Sequence, residues 1–125
     1  MFNQAVIVGR LGQDPELRTM RSGEAVINVT VATTSGYTDR TSGEKKESTE
    51  WHRVVAYGPV AEAIARLAKK GTLMLFEGSM HTREYVDKQG LTKKSTELKA
   101  RVSRVLAGGR NEGHSGLASE EEIDF

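Results

Sequence analysis

The residues best suited to do chemistry in this chain are aromatics set beside arginines. Residues 49–57 (TEWHRVVAY) read as an extended strand. In a strand, alternate side chains point to the same side, so Trp51, Arg53, Val55 and Tyr57 share one face, and Glu50, His52, Val54 and Ala56 share the other. A face showing Trp, Arg and Tyr is what stacking of nucleobases requires: π-faces for the bases and a cation for the phosphate between them. His81, Arg83 and Tyr85 repeat the pattern at a single parity, and Tyr37 and Arg40 lie in a long polar stretch. A lone tryptophan packs inside more often than outside. Four aromatics interleaved with Arg40, Arg53 and Arg83 turn that expectation round.

Catalytic patterns are sparse. His52, His81 and His114 show no metal-ligand spacing, and no H-x-x-x-H occurs. Neither a G-x-S-x-G elbow nor a phosphate-cradling G-x-x-x-x-G-K-[ST] is present. The absence of cysteine excludes disulfides, zinc-thiolate sites and thiol nucleophiles. No catalytic residue, cofactor or metal is expected. A metal-dependent nuclease stays open as a minor alternative, because carboxylate clustering is not fully visible in a sequence.

The 125 residues suit one small domain with a modest core. A formal net charge of +1 conceals an uneven distribution. All 18 Lys and Arg lie in residues 1–111 with 12 carboxylates, leaving that body at +6, while residues 112–125 carry five carboxylates and no Lys or Arg. A basic body with an acidic end suits an anionic ligand, and equally a plain solvated surface. No apolar run approaches the ~18 residues of a membrane span. The apolar stretch Ala5–Val8 is closed by Arg10 and resembles neither a signal nor a transit peptide. No membrane association is expected, and the expected location is the cytoplasm.

These side chains need a scaffold. Residues 24–34 alternate, with Ile27, Val29 and Val31 at one parity, and read as a half-buried strand. Residues 4–11 read as an earlier strand ending at Gly12 and Asp14-Pro15. Residues 35–48 read as a long polar loop. A helix follows residue 58, with Gly58 as cap and Pro59 in its first turn. Val60, Ile64, Leu67 and Ala68 form its apolar face, Lys69 and Lys70 its last turn, and Gly71 its stop. Residues 72–86 return to strand, Asp87–Gly90 turn, and residues 92–106 form the last strand. Three strands, a helix and two strands match an all-β OB-fold, a five-stranded Greek-key barrel with one α-helix between strands 3 and 4. An α+β sandwich of the same elements is the alternative. Residues 1–107 form the domain, 108–119 a short Gly-containing linker and 120–125 an acidic tip.

Val8-Gly9-Arg10-Leu11-Gly12-Gln13-Asp14-Pro15-Glu16 resembles the bacterial single-stranded DNA-binding protein family, and Thr49-Glu50-Trp51-His52-Arg53-Val54-Val55 strengthens the likeness. It continues through Lys70-Gly71 and Glu77-Gly78 to the acidic tip. The resemblance implies an OB-fold, usually a homotetramer, that wraps single-stranded DNA in replication, recombination and repair without catalysis, in the nucleoid. By resemblance, stacking aromatics fall on Tyr37, Trp51, Tyr57 and Tyr85. Phosphate-facing cations fall on Arg40, Arg53, Lys70 and Arg83, and His52 falls at a subunit contact. The partner-binding tip for replication and repair proteins falls on Glu120, Glu121, Glu122, Ile123, Asp124 and Phe125. The sequence departs from the family at Asp124, where proline is common, and in its short linker, whose mean reach is about 20 Å. Tyrosine also stands at three positions where some members carry Trp or Phe. Rival readings are an RNA-binding OB module and a replication-restart accessory protein.

Overall fold

The computed structural model describes residues 1–108. It contains β1 (Ala5–Leu11), β2 (Glu16–Thr19), β3 (Ala25–Thr38), β4 (Lys45–Tyr57), α1 (Gly58–Leu67), β5 (Leu73–Val86) and β6 (Thr92–Ala107). The strands run β1-β5-β6-β4-β3-β2 across one sheet, and a further β1–β3 pairing closes it. Five strands therefore form a barrel, with β2 attached outside the closure on β3. All contacts between strands are antiparallel except β4 with β6, which is parallel over Val54↔Leu98 and Val55↔Lys99. The helix follows the third barrel strand, as the sequence predicts.

The alternation in β3 has the expected result. Ile27, Val29 and Val31 are buried and meet Val54, Ala56, Ile64, Met74, Phe76 and Leu98 in one core. Leaving water gives each of these side chains larger than alanine about 1.5–3 kcal/mol. Among the described residues no helix is long and apolar enough to cross a membrane.

Three local expectations need correction. First, residues 35–48 are not a long loop: β3 runs to Thr38, β4 begins at Lys45, and only residues 39–44 turn. The two strands pair from Val26↔Tyr57 out to Thr38↔Lys45. Their outer ends project beyond the barrel with neither face buried, so no period-2 apolar signal marks them. Second, β2 is exposed at every position and carries no alternation for the same reason. Third, α1 ends at Leu67, where the backbone N–H of Ala68 still donates to Ile64 O. Lys69 and Lys70 thus lie beyond the helix, and Gly71 takes up the positive φ of 87° that the reversal into β5 needs. The helix buries Ala61 and Ile64, with Val60 and Ala68 packed beside them, and leaves Leu67 exposed at the rim.

Candidate nucleic-acid interface

Two long hairpins extend past the barrel wall. One is the outer half of β3–β4. The other is β5–β6, paired from Val86↔Thr92 inward. Because the parallel β4–β6 contact is only two residue pairs long, the N-terminal halves of these strands diverge. A cleft of about 420 Å³ opens there. Trp51, His52 and Arg53 of β4 line one wall, Lys94, Ser95 and Thr96 of β6 with Tyr85 the other, and Ile7, Met80 and Leu98 complete the lining.

Trp51 is not a core residue. It is 61% exposed, while Val54 and Ala56 of the opposite parity are fully buried. Trp51 pairs with Ala32, and Arg53 with Thr30, and both are exposed, but the predicted outer face of β4 stops there: Val55, at the same parity, is buried, and Tyr57 is half-buried. An apolar ring left in water has no packing reason to be there, and it is available to stack. The Trp51 ring lies against Gly12, at the end of β1. Near that point the backbone N–H of Lys70 donates to Asp14 Oδ1 at 2.8 Å, which brings the exposed Lys70 to the same end of the barrel.

Tyr57 closes the same β4 face six residues further along. The ammonium of Lys99 lies 5.2 Å from its ring centroid, within cation–π range. Tyr85 is exposed on β5 and reaches the cleft. Arg83 and Ser95 pair across β5–β6, so the His81, Arg83, Tyr85 parity faces the β6 residues Lys93, Ser95 and Glu97.

The expected residues do not all converge. Tyr37 pairs with Lys46, at the parity of His52 rather than that of Trp51, and is exposed far out on the β3–β4 arm. There it lines a second, shallow hollow of about 720 Å³ with Gly36, Thr38, Lys45, Lys46 and Glu47. Arg40 lies in the turn beyond it. His52 is half-buried, and its Nε2 shares a 2.8 Å hydrogen bond with Thr33 Oγ1. Residues 120–125 lie outside the described residues.

Sequence reasoning gave no role to Ser95, Glu97 and Lys99, and read Gly12 only as a strand end and part of a motif. Arg53 Nη1 donates to Ser95 Oγ at 3.1 Å, and Arg83 Nε donates to Glu97 Oε1 at 2.6 Å. The only signal for Ser95 and Glu97 was a Ser and a Glu two apart on a strand, which has meaning only once the hairpin register is known.

Each arm is tied at its tip by an aspartate. Asp39 Oδ1 accepts from the N–H groups of Thr41 and Ser42, and its Oδ2 lies 3.2 Å from Lys46 Nζ. Asp87 Oδ1 accepts from Gln89 and Leu91 N–H groups, and its Oδ2 lies 3.3 Å from Lys93 Nζ. The Thr41 amide, with Lys46 and Ser42, holds the Asp39 carboxyl below its ordinary value, and the Leu91 amide, with Gln89 and Lys93, does so for Asp87.

Residues 2–106 match the model of the single-strand binding protein family. Among solved structures, the chain is similar to a Plasmodium falciparum SSB in complex with ssDNA. The identity is 29% and the TM-score 0.72, over 84% of this chain and 93% of that one. It is also similar to a deletion variant of the single-stranded DNA binding protein from Thermus aquaticus. Here the identity is 30% and the TM-score 0.72, over 86% of this chain and 51% of that one, so the chain spans about half of the Thermus protein.

Proposed function

The chain belongs to the single-strand binding protein family and binds single-stranded DNA; from this premise we propose which of its side chains do so and how. The observation that carries the proposal is the exposed Trp51 beside Arg53 at the mouth of a cleft walled by Lys94 and Tyr85. Bases stack on Trp51, Tyr57 and Tyr85, with Tyr37 extending the path along the β3–β4 arm. Phosphates meet Arg53, Arg83 and Lys70, with Arg40 at the arm's tip. Every base has a π-face, so the reading is independent of sequence, and duplex is refused because its faces are already stacked. The protein acts by binding, without catalysis.

Further proposals follow from the family. The chain assembles as a homotetramer with His52 near a subunit contact, and works in the cytoplasm on nucleoid DNA. The acidic tip, Glu120–Phe125, recruits replication, recombination and repair proteins. Removing residues 120–125 should abolish pull-down of such partners and raise DNA affinity at low salt, where tip carboxylates compete with phosphates for the body.

The test of the interface uses the single tryptophan. Oligo-dT should quench Trp51 emission stoichiometrically, less tightly as salt rises, while a matched duplex leaves it unchanged. A matched oligo-U competitor distinguishes DNA from RNA through the 2′-OH. Absence of quenching while oligo-dT still binds would remove Trp51 from the contact surface.

A further inference from the structure

We propose that Glu97 is a positioning residue that holds Arg83 in its phosphate-binding pose, with Ser95 doing the same for Arg53. The inference rests on the DNA-binding reading above and deepens it. A carboxylate on a surface built for a polyanion is, by Coulomb's law, a liability. Yet Glu97 is only 8% exposed and stands two residues from Ser95 on β6, so both point the same way. The arginines approach this pair from opposite sides: Arg53 from β4 onto Ser95, and Arg83 from β5 onto Glu97.

The bond from Arg83 engages Nε, the donor nearest the stem, and occupies one of the five guanidinium N–H groups. The four on the Nη atoms stay free of Glu97, on a side chain that remains 61% exposed. Held this way, Arg83 keeps its fork for a phosphate while the rotamer freedom it would otherwise lose on binding is already spent in folding. A lysine offers no such division of labour: its three donors share one nitrogen, which would have to lie against Glu97 and DNA at once.

The signs of two effects are opposed, which makes the test decisive. Removing a negative charge raises DNA affinity if Glu97 merely repels; removing an anchor lowers it. The measurement is oligo-dT affinity of the full chain as a function of salt, with folding followed by thermal melting. Glu97→Ala should weaken binding about 3- to 10-fold, the scale set by ordering one long side chain. Its log K against log salt slope should flatten by up to about 0.7, one phosphate contact. Glu97→Gln, which retains an oxygen acceptor for Nε–H, should restore both. In an Arg83→Ala background, Glu97→Ala should cause no further loss. Unchanged or tighter binding by Glu97→Ala, or an equal loss in both backgrounds, would overturn the proposal. If Glu97→Ala does not fold, Arg83→Lys decides: a loss matching Arg83→Ala supports the proposal, and wild-type affinity overturns it. A native chain that fails to bind oligo-dT would instead remove the underlying reading, an outcome separate from all of these.

Discussion

The six-membered ring of Trp51 stands where a methyl group on Gly12 would go. A Cβ built on Gly12 would lie 2.5 Å from Trp51 Cζ3 and 3.1 Å from Cη2. Gly12 is not among the positive-φ glycines, so the lack of a side chain serves the indole rather than the backbone. Gly12 is thus the bed on which the exposed ring rests. Gly12→Ala should leave the barrel folded but push the indole aside, shifting its emission maximum. Affinity for oligo-dT should fall on the order of 5-fold, about 1 kcal/mol, the lower end of one base–aromatic stack. Unchanged emission and affinity would show that the ring's seat on Gly12 has no part in binding.

Removing the ring itself should cost more. Trp51→Ala takes away a stacking surface worth about 1–3 kcal/mol, or roughly 5- to 150-fold in Kd. Trp51→Phe should recover much of the loss, because a smaller π-face still stacks. Because Trp51 is exposed, neither substitution opens a core cavity, and the melting temperature should scarcely move. Isothermal titration with a short oligo-dT, beside a thermal melt, tests both statements. A large drop in melting temperature would mean that the ring carries stability instead.

What could be read from the sequence follows burial. In the inner half of β3 one face meets the core, so the parity of Ile27, Val29 and Val31 was visible; in β4 Trp51 and Arg53 point outward as their parity predicts, but further in Val54, Val55 and Ala56 are all buried and the alternation is lost. The outer β3–β4 arm has no buried face, and residues 35–48 therefore resembled a loop, which hid the position of Tyr37 on a strand. The β5–β6 arm poses a different problem. Whether Leu91 belongs to the turn or the strand fixes the register, and a slip of one residue sends every side chain to the other face. With Val86 opposite Thr92, Arg83 faces Ser95 and can reach Glu97. Had Val86 met Leu91, neither contact would form. Nothing in the residues between Asp87 and Leu91 decides this without the hydrogen bonds that Asp87 makes to Gln89 and Leu91.

Those turn aspartates predict an acid limit for the arms. Both carboxyls sit below their ordinary 3.8, Asp39 chiefly through the Thr41 amide and Asp87 chiefly through the Leu91 amide. A depressed folded value means the charged form is the one that favours order. The contribution is complete above 3.8 and is lost as pH falls from there through the lower folded values. The arms should hence be fully ordered from pH 5 upward and loosen only in stronger acid. In a pH series of amide spectra, the Thr41 and Leu91 N–H signals should hold their positions down to about pH 4 and move below it. Midpoints at or above 3.8 would contradict the hydrogen-bonded turns. Both groups stay charged between pH 6 and 8, so neither should make DNA binding depend on pH in that range.

Arg53 offers the sharpest separation of charge from stacking. Its guanidinium is exposed, tied to Ser95 Oγ, and two residues from Trp51 on the same face of β4. A phosphate contact there releases counterions, whereas a stacked base releases none. Arg53→Ala should therefore flatten the log K against log salt slope by about 0.7, the value for one phosphate on a single strand. Trp51→Ala should leave that slope alone and lower affinity at every salt concentration alike. Because phosphate is common to all nucleotides, the Arg53→Ala loss should be the same for dT, dC and dA oligomers. The Trp51→Ala loss should vary with stacking strength and be larger for dA than for dT. If the slope of Arg53→Ala matches the native chain, or its loss depends on the base, Arg53 is not reading phosphate, and the cation in this face must be sought among Lys94, Lys99 and Lys70.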